Sequence, residues 1–110
     1  MTEQEISDGK TTAILSYLTI IGTLIAYFMN VEKKNRFAGF HLRQALGLWL
    51  TYAVIGLLVS QFDSWFASIG FYIFFAVLFI YGFGNAISGI AQTVPILGEY
   101  YQKWFSSFGS

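Results

Sequence analysis

Charge is missing from three long stretches of this chain. No Asp, Glu, Lys, Arg or His lies between Lys10 and Glu32, between Arg43 and Asp63, or between Asp63 and Glu99, windows of 21, 19 and 35 residues. A membrane-crossing helix needs about 20 mostly apolar residues, which at about 1.5 Å each cover a hydrocarbon core of about 30 Å. A water-soluble domain keeps about a quarter of its residues charged and spread over its surface. Here 11% are charged, while 55% are hydrophobic and 20% aromatic. The pattern predicts an all-α integral membrane protein, with three transmembrane helices and a C-terminal amphipathic helix lying in the interface.

The chain divides into a single membrane domain. Residues 1–11 read as a polar tail, 12–31 as span 1, and 32–44 as a basic loop carrying the start of the next helix. Span 2 covers 45–62, a short loop 63–67, span 3 68–94, and the interfacial helix 96–108. The opening residues are acidic, without the positive start and small-residue cleavage site of a secretory signal. Span 1 is therefore expected to be retained. Within it Thr12, Ser16, Thr19, Thr23, Ala26 and Asn30 recur at steps of four and three, which puts them on one face of a helix. A face of small and hydroxyl side chains predicts close helix packing. Gly82, Ala86 and Gly89 form a second smooth face in span 3, with Asn85 beside them.

Pro95 is expected to end span 3, because a proline ring costs about 3 kcal/mol inside a helix. Beyond it Leu97, Tyr100, Tyr101, Trp104, Phe105 and Phe108 share an apolar face, and Glu99, Gln102, Lys103, Ser106 and Ser107 the opposite one. That division suits a helix in the membrane interface, with Tyr100, Tyr101, Trp104, Phe105 and Phe108 as interfacial residues and all but Tyr101 toward the acyl chains. Orientation follows from Lys33, Lys34, Arg36 and Arg43, since Lys and Arg of short loops gather on the cytoplasmic side. Three spans then put the N-terminus and Asp63 outside and the last helix inside. A re-entrant first segment would instead bring the N-terminus to the cytoplasm.

The block Phe40, His41, Arg43, Gln44, Ala45, Leu46 follows the charged loop directly. Together with KTTAILSYLTIIGTLIAYFMN before it and VPILGEYYQKWF at the close, it resembles a family of small bacterial membrane proteins of unknown function. That family is related to the twenty-kilodalton, channel-like component of the chloroplast inner-envelope protein translocon. The resemblance implies an all-helical, multi-pass protein of the bacterial cytoplasmic membrane. It also implies a link to protein translocation or to assembly of a membrane complex.

The residues themselves exclude several classes. Net charge is zero, so the chain lacks the basic excess of a nucleic-acid binder and nucleic acid is not an expected partner. Without cysteine there is no thiolate site or disulfide. His41 is the only histidine, and no acid/base carboxylate pair or nucleophile motif is present. Neither catalysis nor a cofactor or metal is expected. His41, Arg43 and Gln44, with Lys33, Lys34 and Arg36, are candidates for contact with lipid headgroups or a partner, and the first three alternatively for a polar knot that fixes the loop. An accessory or structural subunit of a membrane complex, in contact with lipids and with a membrane-protein partner or further copies of itself, fits best. The alternative is an oligomeric channel or small-solute transporter lined by hydroxyls, Asn30, Asn85 and Gln92.

Overall fold

Helix begins almost at once in the computed structural model, which describes residues 1–62, 65–106 and 108. Thr2 caps α1 (Glu3–Leu18), its side chain accepting from the Glu5 N–H, and Glu3 and Glu5 place negative charge in the first turn, where the helix dipole favours it. The polar segment 1–11 is thus the first half of a helix and not a separate tail. At Thr19 the backbone is fully extended (φ −153°, ψ 168°), and its hydroxyl caps α2 (Ile20–Lys33) by accepting from Gly22 N at 2.8 Å. A single helix over 12–31 is therefore replaced by two. Gly22 lies so close to Leu15 O that a side chain could not be placed there. The Thr23 hydroxyl donates to Ser16 O at 2.6 Å, satisfying a carbonyl in the last turn of α1.

The two helices fold back on one another. Asn30, near the end of α2, accepts from Asn35 N (3.0 Å) and donates to Asn35 O (3.2 Å), and the Asn35 side chain donates to Glu5 O (2.8 Å). Arg36 pairs with Glu5 at 2.8 Å. Both ends of the first hydrophobic window thus sit at the same end of the molecule. Among the described residues two helices, not three, are long and apolar enough to cross a membrane: α3 (Arg36–Ser60) and α4 (Trp65–Ser88).

Asn35 caps α3 by accepting from Ala38 N, so this helix begins within the 32–44 segment expected to carry its start. It is 25 residues long, about 37 Å. The next helix, α4, runs antiparallel to it, as the ring pairs Tyr52–Phe71 and Trp49–Phe79 record. Gly89, not Pro95, ends α4. At φ 75° it takes the left-handed conformation, with Gly89 N donating to Ala86 O (3.4 Å) and Ile90 N to Asn85 O (2.8 Å), the paired bonds of a glycine helix stop. A non-helical strap then leads to α5 (Gly98–Trp104), much shorter than the expected 96–108. Asp63 and Ser64 of the expected outer loop, and Ser107 of the terminal polar face, lie outside the described residues.

Packing is concentrated at one end. In α3 every buried residue falls between Phe37 and Leu48, and in α4 between Phe75 and Ala86. There α1, α2, the strap and α5 surround the two long helices, with Ala13, Tyr17, Val94 and Tyr101 completing the core. Every Asp, Glu, Lys and Arg among the described residues belongs to this packed half. The other half is the bare α3–α4 hairpin, 50–60 and 65–74, with no buried residue and no described charge.

Candidate functional site

The His41 ring is wholly enclosed, with Phe37 and Phe40 edge-on to it. Its Nε2 lies 2.9 Å from Ile90 O and its Nδ1 2.6 Å from the Tyr17 hydroxyl. A carbonyl can only accept, so Nε2 carries the proton and the neutral ring's Nδ1 accepts from the Tyr17 O–H. The same phenol oxygen accepts from Gln44 Nε2 at 2.9 Å, and Gln44 Oε1 accepts from Val94 N at 2.7 Å. A directed chain results. It runs from α3 through Tyr17 of α1 and returns through His41, fastening the strap at Ile90 and Val94.

Gln44 also has zero exposure. His41 and Gln44 are therefore turned away from lipid and from partners, contrary to the expectation of a headgroup-level contact. Burial of an unpaired polar group costs about 1–3 kcal/mol, so polar side chains at this depth point at one another. His41 has both ring nitrogens engaged and offers no lone pair to a metal or a substrate. Tyr17 was missed in the sequence, where it is one of seven tyrosines and carries no motif. What it pairs with is set by the fold of α1 against α3.

Arg43 faces the other side of α3. Its Nε donates to Gln102 Oε1 (2.7 Å) and its Nη1 reaches Phe108 O (3.4 Å), while Gln102 Nε2 donates to Phe40 O (2.8 Å). Arg36 is bound to Glu5, whose carboxyl is held below the usual carboxylate range chiefly by the Arg36 hydrogen bonds. Lys33 and Lys34 are exposed, and Lys34 closes α2 in the left-handed region (φ 48°). These two remain available to headgroups or a partner.

The hydroxyl stripe is used inside the chain. Thr12, Ser16, Thr23, Ala26 and Asn30 are all buried where α1 folds against α2, whereas Thr19 is the exposed cap at the turn and no part of a seam. Gly82 lies beneath the Tyr17 ring, where an added Cβ would come within 2.9 Å of it. Ala86 is buried, Gly89 is the helix stop, and the Asn85 Nδ2 is buried with no partner among the described residues. At the C-terminal end Tyr101 departs from the expected interfacial set, being 2% exposed. Its ring covers Gly47 and its hydroxyl meets Thr51 Oγ1 at 2.7 Å. Burial pushes its phenol above the usual range. Phe108 stacks on Tyr27 (4.5 Å, 8°) and Phe105 is half-buried, whereas Tyr100 and Trp104 are exposed.

No family model, curated protein or solved structure matches this chain. The polar chain from Tyr17 to Val94 has the chemistry of a fastener.

Proposed function

We propose that the protein is a small, non-catalytic subunit of a complex in the bacterial cytoplasmic membrane, built from two crossing helices and a re-entrant hairpin. One observation carries this reading: the α3–α4 hairpin over 50–60 and 65–74 is mostly apolar, uncharged, and has no buried residue. Leu57 is 69% exposed, Trp65 76% and Phe66 78%. Within the most apolar stretches of α3 and α4 only 28% and 17% of residues are buried, whereas a core helix of a soluble domain would be mostly buried. Exposed apolar surface of this extent is stable against acyl chains and other transmembrane helices.

The buried side chains Tyr17, His41 and Gln44 of the packed half are tied to one another, which supports a structural role over a transport path. The charge distribution supports an orientation with both termini and the Lys33–Arg43 segment in the cytoplasm. The likeness of the 40–46 block to import-related membrane proteins suggests that the complex handles protein translocation or insertion. Affinity purification of a tagged chain in mild detergent tests this. Larger membrane subunits should accompany it in fixed ratio, and a chain that elutes alone at monomer size would overturn the subunit role.

A further inference from the structure

Between α3 and α5 lies an open groove of about 300 Å³. Leu50, Val54 and Ile55 form one wall, and Trp104 and Phe105 the other, with Tyr101 at the base. Its two hydroxyls do not soften it. Thr51 Oγ1 donates to Gly47 O (2.7 Å) and lies 2.7 Å from the Tyr101 hydroxyl, so the pair is satisfied internally. Such a surface accepts hydrocarbon.

Arg43 stands on the same face of α3, because positions 43, 47, 50, 51 and 54 recur at helical spacing. It lies seven residues before Leu50, roughly 10 Å along the axis, on the side of the charged half. Arg43 is half-buried, and among the described residues its guanidinium touches only neutral oxygens, those of Gln102 and Phe108. Among the described residues the one ion pair is Arg36–Glu5, so Arg43 has no carboxylate partner there. A guanidinium carries five N–H donors, and a partly desolvated cation is stabilised by an anion rather than by carbonyl dipoles alone. Gln102 holds α5 to both Arg43 and Phe40 O, so cation and greasy wall form one unit.

From these observations we infer a binding site for one anionic phospholipid, with an acyl chain in the α3–α5 groove and the phosphate on Arg43. The inference rests on the membrane reading above. Its polarity matches: the cation lies toward the charged half, and the groove runs from it toward the uncharged half, as a lipid of the adjoining leaflet would.

Trp104 reports on the site. A chain carrying Trp49→Phe and Trp65→Phe leaves it as the sole tryptophan. In phosphatidylcholine vesicles, a small fraction of chain-brominated phosphatidylglycerol should quench it about fivefold more effectively than the same fraction of chain-brominated phosphatidylcholine. That ratio corresponds to the attraction of one basic side chain for an anionic surface. R43Q should bring the two lipids to parity. V54F, placed at an exposed position, should fill the groove and abolish the preference without touching the core. Equal quenching in the parent, or a preference that survives either substitution in a folded chain, overturns the site. If R43Q does not fold, V54F decides the matter alone. A second chain with Trp65 as its sole tryptophan separates this inference from the membrane reading. Quenching of Trp65 by both lipids without preference, beside parity at Trp104, removes only the lipid site. No quenching at either position removes both.

Discussion

At Gly47 a side chain has nowhere to go, because the Tyr101 ring lies where a Cβ would be built. Gly47→Ala must lift that ring, break its 2.7 Å contact with Thr51 and part α5 from α3. Overpacking of this kind costs about 1–3 kcal/mol. Gly84, on α4, has nothing within 4 Å of the same constructed atom. There an alanine removes backbone freedom from the unfolded chain and should stabilise the helix by up to about 1 kcal/mol. Thermal unfolding in detergent should therefore move in opposite directions for the two variants, and a common shift would contradict the seating of α5. Gly89 is a third case, since its φ of 75° penalises any L side chain irrespective of space. These three glycines look alike in a hydropathy profile.

The strap between α4 and α5 depends on Gln44. Gln44→Leu keeps the volume but leaves Val94 N–H and the Tyr17 hydroxyl short of a partner, at about 1–3 kcal/mol. Amide hydrogen exchange at Val94 should quicken strongly while α4 between Phe75 and Ala86 stays protected. Unchanged protection at Val94 would mean that the strap is held by something else. The elements themselves differ in how far the sequence exposed them. Helical class and the two long apolar helices were legible, because long charge-free windows favour helix, although the first such window folds as two shorter ones. The turn at Thr19 was not, since hydropathy averages over a threonine that caps and a glycine that permits close approach. The 40–46 block was noticed for its polar residues, but their partners were invisible. Gln44 meets Val94 fifty positions later, and no local periodicity encodes a contact across that distance.

At the scale of the whole molecule, the charge pattern and the hairpin together predict a topology that three equal spans would not give. The α1–α2 unit has helices of 16 and 14 residues, about 24 and 21 Å long, each short of a hydrocarbon core of about 30 Å. Glu5 and Arg36 meet at its open end, so whatever side holds the Lys33–Arg43 segment also holds the start of α1. The absence of cysteine makes the test direct, because single cysteines can be introduced into an otherwise unreactive chain. In sealed inverted vesicles, Ser7→Cys, Lys33→Cys and Tyr100→Cys should all react with a membrane-impermeant maleimide. Phe62→Cys, at the far end of α3, should react only in spheroplasts. With the hairpin ending within the bilayer as proposed, Thr19→Cys at its exposed turn should be labelled poorly from either side. A first window that crossed the membrane would put residue 7 opposite residue 33. Labelling of these two positions from opposite faces would therefore restore the third span and eliminate the re-entrant hairpin.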